Sequence, residues 1–206
     1  MRAYFLNISE DEKKSIRDKQ RSIYDGYQTM QPKGNMTLEP FETSSPVFED
    51  FRGCFAPVKL YGDWFQSNIS ISDNLFTFRG LHLQQGQHAQ TNKVSVIRGK
   101  IIDFCVDLRK ETFGDTYQFI LEPGQAVFVP NWFAHGFLTL KSGTIVNYLV
   151  DKDYNKDSEV SINWNSVPDV KETITKYMTG WDLKMIINGK DEDAITLEEY
   201  GEKYVR

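Results

Sequence analysis

The three histidines of this chain are the side chains with the clearest capacity for chemistry. His82 and His88 lie in RGLHLQQGQHAQ, and His135 lies in PNWFAHGF. A mononuclear metal site on a β-strand usually takes histidines at i and i+2, which point to one face, plus a carboxylate and a distant histidine. Here position i+2 from His82 is Gln84, and no Asp or Glu occurs between His82 and Asp103. The spacing therefore predicts no bound metal, and it leaves an acid–base site or a chance clustering of histidines as the alternatives.

Composition and charge narrow the classes of function. The chain has 206 residues, of which 40% are hydrophobic and 14% aromatic, and this indicates a folded domain with a sizeable core. The net charge of -5 argues against nucleic acid or an anionic membrane surface as the partner. The N-terminal apolar run is too short for a signal peptide, and no segment has the composition of a membrane span. Since Cys54 and Cys105 form no CxxC pair, no zinc knot or disulfide framework is indicated. We therefore expect a cytoplasmic protein.

The first part of the chain differs in character from the rest. Ser9 and Glu12 form a capping-box pattern, and the charged run that follows predicts a surface helix over residues 9–24. The later segment QPKGNMTLEPFETSSP contains three prolines and a glycine, which predict a loop. We therefore divide the chain into an N-terminal extension of helix and loop, residues 1–46, and one domain, residues 47–206.

The sequence of the domain, residues 47–206, predicts a mainly β fold. Short runs of β-forming residues follow one another, among them KVSVI, KIIDFCVDL, TYQFIL, AVFVP, FLTL and TIVNYLV. The alternation in IIDFCVDL is typical of a strand with one buried face, with Phe104 and Val106 on that face. Near the end of the chain, Thr196 and Glu199 predict a short helix. Many short strands joined by turns are typical of a sandwich, a jelly roll or a barrel.

Several motifs together resemble one family. RGLHLQ at 79–84, IRGKIIDFCVDLRKETFG at 97–114 and VFVPNWFAHGF at 127–137 resemble the dTDP-4-dehydrorhamnose 3,5-epimerase family, and DFRGCF at 50–55 and NGKD at 188–191 extend the likeness. The resemblance implies a cupin jelly-roll β-barrel, assembled as a homodimer and working without metal or cofactor. It also implies an isomerase of the racemase/epimerase class in deoxysugar or surface polysaccharide biosynthesis.

The implied reaction sets clear chemical requirements. A nucleotide-diphosphate sugar with a 4-keto-6-deoxy ring has acidic C–H bonds at C3 and C5, and epimerising either or both carbons passes through an enolate. The reaction therefore needs a base near neutral pKa, an acid on the opposite face and a group that stabilises the enolate oxygen. By resemblance, His82 is the base, Asp191 is its partner carboxylate and Tyr148 is the acid.

The resemblance also implies a set of substrate-binding residues. Arginine and lysine side chains suit a diphosphate, and polar or aromatic side chains suit the base and the sugar. The residues that match the family in this way are Arg52, Gln66, Asn68, Arg79, His135, Tyr154 and Lys190.

The sequence departs from the family pattern at two positions. The family's enolate-binding lysine falls on Asn92, and Lys93 follows one residue later. Because a one-residue step reverses the side-chain face of a strand, either a bulge returns Lys93 to the site or Asn92 donates a neutral hydrogen bond. In the family, an acidic residue shortly after the motif DFRGCF helps to hold the nucleotide base, and Pro57 takes its place here. The sequence therefore does not predict which nucleotide base is bound.

Two alternative functions remain open at this point. A related cupin ketoisomerase would move the carbonyl between C4 and C3, and such enzymes more often carry H-x-H where this chain has His82 and Gln84. A sugar-nucleotide-binding cupin without turnover would need no acid–base set, whereas this chain keeps His82, Tyr148 and Asp191.

Overall fold

The computed structural model describes residues 41–44, 48–50, 53–55, 64 and 66–205. The helix predicted over residues 9–24 lies outside the described residues, as do Arg52 and Pro57. The division of the chain at residue 46 stays a prediction.

The described chain folds mainly into antiparallel β-strands, which confirms the predicted fold class. The strands are β1 Phe41–Ser44, β2 Phe48–Asp50, β3 Gly53–Phe55, β4 Gln66–Ser72, β5 Phe78–Gln84, β6 Asn92–Arg98, β7 Ile101–Asp107, β8 Thr116–Leu121, β9 Gln125–Val129, β10 Phe133–Thr139, β11 Thr144–Val150 and β12 Glu159–Ser161. Short 3-10 helices lie between strands at Gly86–His88, Lys110–Thr112 and Lys156–Ser158, and another follows β12 at Trp164–Ser166.

The strands form two five-stranded sheets and one hairpin. The first sheet has the order β1-β9-β6-β11-β4, the second has the order β12-β5-β10-β7-β8, and β2 pairs with β3. Among the described strands no pairing joins one five-stranded sheet to the other, so the jelly roll is a sandwich with open edges and not a closed barrel.

The loop predicted for the segment QPKGNMTLEPFETSSP is wrong at residues 41–44. These residues form strand β1, which pairs with β9 in regular antiparallel register. The four residues FETS lie between Pro40 and Pro46 and contain neither proline nor glycine. They can therefore form a short edge strand, which satisfies the backbone of β9 on that side.

Strand β7 is buried on both faces, whereas the alternation in its sequence predicted one buried face. All seven of its residues are buried. Phe104 and Val106 pack in a core under the C-terminal helices, and Ile101 and Cys105 pack in the core between the sheets. The polar residue Asp103 thus alternates toward the space between the sheets, where the candidate site lies.

Three α-helices follow the strands in the described chain: α1 Pro168–Met178, α2 Gly189–Glu192 and α3 Leu197–Tyr204. The capping box predicted from Thr196 and Glu199 begins α3, as expected. Helix α1 was missed, although Pro168 at its first position and the i, i+4 pair Val170 and Ile174 are typical helix signals. None of the helices in the described ranges is long and apolar enough to cross a membrane.

Candidate active site

A cavity of about 430 Å³ opens between the two sheets. The second sheet contributes imidazole and amide side chains from β5 and β10, and the first sheet faces them with amides and a tyrosine. The residues that line the cavity and matter below are Gln66, Asn68, Arg79, His82, Gln84, Gln90, Asn92, His135, Tyr148, Tyr154, Glu159 and Asp191. Most residues that the sequence predicted for the site therefore meet in one place.

Two glycines bring His82 and His135 side by side. His82 on β5 pairs directly with His135 on β10, and a register irregularity follows within β10. At that point a Cβ on Gly80 would lie 2.5 Å from the Cα of Gly136, and a Cβ on Gly136 would lie 2.5 Å from the carbonyl oxygen of Arg79. Only glycine allows such close backbone approach, so these two positions fix how the histidines are presented.

His82 is held by a buried carboxylate. Its Nε2 lies 2.6 Å from Oδ1 of Asp191, whose side chain is fully buried, while the imidazole is about one-third exposed at 33%. The other oxygen, Oδ2, accepts a 3.2 Å hydrogen bond from the backbone N–H of Gly80. The ring is thus oriented by the buried carboxylate of Asp191.

Helix α2 holds Asp191 in place. Asn188 caps this helix, and its Oδ1 accepts a 2.8 Å hydrogen bond from the backbone N–H of Asp191. Burial acts to raise the pKa of Asp191, but the hydrogen bond and charge of His82, with the N–H of Gly80, outweigh it and hold the pKa below its usual value. The carboxylate therefore stays ionised beside the imidazole.

Tyr148 lies on the opposite wall of the cavity. It belongs to β11 of the first sheet, in register with Asn68 on β4 and Val94 on β6. Gln66 and Asn68 share its face, and Nε2 of Gln66 donates to Oδ1 of Asn68 at 2.5 Å. An imidazole and a phenol thus face one space from different sheets.

The structure separates Asn92 from Lys93. Asn92 lines the cavity, and its register partners are Val129 and Val150. Lys93 lies on the other face of β6, in register with Phe128, and is only 2% exposed. Its burial lowers the pKa of the ammonium to about 8. No bulge brings Lys93 into the cavity, since the pairing of β6 with β9 runs without a break.

A carboxylate that the sequence analysis missed lies beside His82. Glu159 on β12 lines the cavity, accepts a 2.7 Å hydrogen bond from the hydroxyl of Tyr154 and pairs with Nζ of Lys190 at 2.5 Å. Burial acts to raise the pKa of Glu159, but the bonds from Lys190 and Tyr154 outweigh it and lower the pKa. Lys190 itself is not among the side chains that line the cavity.

A second buried acid lies behind His135. Oδ2 of Asp103 is 3.8 Å from Nδ1 of His135, and Asp103 is fully buried. Burial raises the pKa of Asp103. Strand alternation places Asp103 and Cys105 on one face of β7, but only the register of β7 against β10 shows that this face lies next to His135. The sequence alone gave no signal for this pairing.

Arg79 and His88 occupy different places relative to the cavity. Arg79 lines the cavity rim, and its guanidinium bonds to Oγ of Ser72 at 3.4 Å and to the carbonyl of Ile71 at 3.3 Å. His88 lies in a 3-10 helix and is not among the residues that line the cavity. In the part of the chain that the structure describes, no group of three His, Cys, Asp or Glu side chains could hold a metal ion.

Comparison with known proteins identifies the family. Residues 39–199 match the family model described as dTDP-4-dehydrorhamnose 3,5-epimerase. The fold is a cupin jelly roll, as in the solved structures of these isomerases. The chain belongs to the dTDP-4-dehydrorhamnose 3,5-epimerase family, and this confirms both the resemblance and the prediction of an isomerase of the racemase/epimerase class.

Individual relatives agree with this assignment. The dTDP-4-dehydrorhamnose 3,5-epimerase of Methanothermobacter thermautotrophicus is 38% identical over 183 residues, covering 81% of this chain and 91% of the relative. The crystal structure of the Bacillus anthracis enzyme with TDP and PPi bound is 30% identical with a TM-score of 0.65, covering 81% and 98% of the two chains. A Legionella pneumophila 3,5-epimerase in complex with dTDP-4-keto-L-rhamnose is 27% identical with a TM-score of 0.65, covering 80% and 91%.

Proposed function

We propose that the cavity epimerises C3, C5 or both in a thymidine-diphosphate-linked 4-keto-6-deoxy sugar, within a deoxysugar or surface polysaccharide pathway. The observation that carries this proposal is the His82–Asp191 pair on one sheet, with Tyr148 on the facing sheet. The thymidine nucleotides bound by the Bacillus anthracis and Legionella pneumophila relatives support the choice of base.

In the proposed reaction, His82 removes the proton next to the keto group. The negative charge of Asp191, 2.6 Å from Nε2, stabilises the imidazolium that forms. Tyr148 then delivers a proton from the other side of the planar enolate, which inverts the carbon. Because the two groups belong to different sheets, the substrate ring lies between them without turning over.

The enolate oxygen needs hydrogen-bond donors, and the cavity offers neutral ones. Asn92 supplies a carboxamide N–H from the first sheet, and His135 supplies an imidazole from the second. We propose that these two side chains take the place of an ammonium. Lys93 takes no part, because its side chain lies on the opposite face of β6.

The diphosphate is proposed to lie along the cationic rim of the cavity. Arg79 lines this rim. Lys190 forms an ion pair with Glu159, which also lines the cavity. Arg52 is included because of its match to the family. Gln66 and Asn68 are proposed to contact the sugar or the base, and Tyr154 the sugar.

The two alternative functions are less well supported. A 3,4-ketoisomerase would use the same substrate class, but the chain lacks the H-x-H pair at His82 and Gln84. A binding protein without turnover would need neither the buried Asp191 behind the base nor a phenol facing it. The family match favours epimerisation over both.

We further propose that the protein is a cytoplasmic homodimer. The outer face of the first sheet carries isoleucines with large exposed fractions: Ile69 at 69%, Ile71 at 59% and Ile97 at 49%. Because β-branched side chains clustered on one sheet face are costly to leave in water, a second copy of the chain is a suitable partner. Light scattering of wild type and Ile69→Glu should give a dimer and a monomer, and a monomeric wild type would contradict the proposal.

A direct assay tests the proposed activity. The purified protein is incubated with dTDP-4-keto-6-deoxy-D-glucose in D₂O, and proton NMR follows the C3 and C5 signals. We expect both exchange with solvent and formation of an epimer. Exchange without inversion, or conversion to a 3-keto sugar, would favour the ketoisomerase, and no exchange at all would favour the binding protein.

A further inference from the structure

The glutamine-rich segment HLQQGQHAQ, residues 82–90, forms hydrogen bonds with the loop of residues 151–158 beside the cavity. The proposed reaction does not account for these glutamines. Oε1 of Gln84 accepts a 2.6 Å hydrogen bond from the backbone N–H of Asn155. Toward the other end of the segment, Nε2 of Gln90 donates to the carbonyl of Lys152 at 2.8 Å, and Nζ of Lys152 donates to the carbonyl of Gln87 at 3.0 Å. Hydrogen bonds to this one segment thus hold the loop of residues 151–158 at several points.

Gln84 has the position of a group that serves the active site. It lies two residues after His82 on β5, and both side chains line the cavity. Only 5% of Gln84 is exposed, and its register partner on β12 is Glu159. Gln85 directly follows β5, and its backbone N–H donates a 2.9 Å hydrogen bond to the carbonyl of Ser158. Two neighbouring residues, Gln84 and Gln85, therefore each form a hydrogen bond with the loop.

The loop held in this way carries Tyr154. This residue precedes Asn155 directly, and its hydroxyl donates a 2.7 Å hydrogen bond to Oε2 of Glu159. The side chain of Tyr154 is 55% exposed, so few packing contacts fix its direction. Its placement therefore depends on two points: the backbone held by Gln84 and the hydroxyl held by Glu159.

We propose that Gln84 is a positioning residue, which acts through the backbone of Asn155 to align Tyr154 and Glu159 beside His82. The inference rests on the proposed function for its effect on turnover. It gives position i+2 from His82 a role in place of metal binding. A carboxamide suits this role because its oxygen accepts from a backbone N–H without adding a charge opposite Glu159.

A double-mutant cycle tests the proposal. Gln84→Met keeps the length of the side chain and removes the acceptor, and we expect kcat/KM to fall on the order of tenfold, mainly through a higher KM. In a Tyr154→Phe background the same change should cost less than about twofold, because a residue that acts through Tyr154 has little left to position. A loss of folded enzyme would instead lower kcat and leave KM unchanged. Gln118→Met, on β8 away from the cavity, is the matched control and should leave both constants unchanged.

Hydrogen exchange separates this proposal from the proposed function. In Gln84→Met, peptides covering residues 151–158 should take up deuterium faster than in wild type, whether or not the sugar is turned over. Equal uptake in the two proteins, or effects of Gln84→Met and Tyr154→Phe that simply multiply, would overturn the positioning role. A wild type without activity but with the expected change in exchange would refute only the proposed function.

Discussion

The placement of Asn92 and Lys93 gives the sharpest prediction about catalysis. Asn92 lines the cavity and makes one side-chain hydrogen bond among the described residues, a 3.3 Å bond from Nδ2 to the carbonyl of Gln90. A carboxamide has two N–H groups, so one remains for the enolate oxygen. Lys93 is buried on the other face of the sheet. We therefore expect Asn92→Ala to slow turnover and Lys93→Met to leave it nearly unchanged.

The size of the effect follows from the kind of donor. Removing one neutral oxyanion donor such as an asparagine carboxamide costs about 2.7 to 4 kcal/mol of transition-state stabilisation. For Asn92 we expect a cost in this range, which is about a 10²- to 10³-fold loss in kcat. Lys93→Met keeps the aliphatic stem of this buried side chain, which is in register with Phe128, and should change kcat less than about twofold.

The assay is kcat at saturating dTDP-4-keto-6-deoxy-D-glucose, measured by NMR for both variants, with thermal denaturation to confirm that each is folded. The opposite pattern would refute the reasoning: a folded Lys93→Met without activity, together with an unaffected Asn92→Ala. That result would mean that β6 bulges in the working enzyme and returns the lysine to the cavity.

Three further predictions concern the acid, the metal and the buried carboxyl. Tyr148→Phe should still exchange the C3 and C5 protons with D₂O but lose inversion by about 10²-fold, because the proton donor alone is removed; retained inversion would disprove its role. Incubation with EDTA should leave activity unchanged, and a loss restored by zinc, iron or manganese would contradict the metal-free site. Asp103→Asn should gain stability over wild type as the pH rises above the ordinary aspartate pKa of about 4, as measured by urea unfolding. Burial raises the pKa of Asp103 in the folded state, so the wild type loses stability as the pH rises from the unfolded-state pKa toward the folded-state pKa, and an unchanged difference would show that its pKa is ordinary.

The sequence predicted the strands well because each carries its own signal. Alternation and turn residues located β6 to β11, and the capping box located α3. Helix α1 was missed because its apolar face is thin, and β1 because four residues between prolines resemble a loop. The two buried faces of β7 could not be read from alternation, since the second face is covered by elements distant in sequence.

The site was predictable only in part. Resemblance to the family supplied His82, Tyr148 and Asp191, and the structure brings these residues to one cavity. Glu159 and Asp103 were missed, because their importance comes from register against β5 and β10 and not from any local pattern. The choice between Asn92 and Lys93 depended on whether β6 contains a bulge close to these two residues, which strand periodicity alone does not decide.

Solvent exchange by His82→Ala tests the central claim most directly. With dTDP-4-keto-6-deoxy-D-glucose in D₂O, wild type should replace the proton at every carbon that it epimerises. His82→Ala should slow this exchange by about 10²- to 10⁴-fold at each of these carbons, because the base is gone. Calorimetry with dTDP should show unchanged nucleotide binding, which confirms that the cavity is intact. Near-normal deuterium incorporation at C3 and C5 by His82→Ala would contradict the account, since the base would then lie elsewhere.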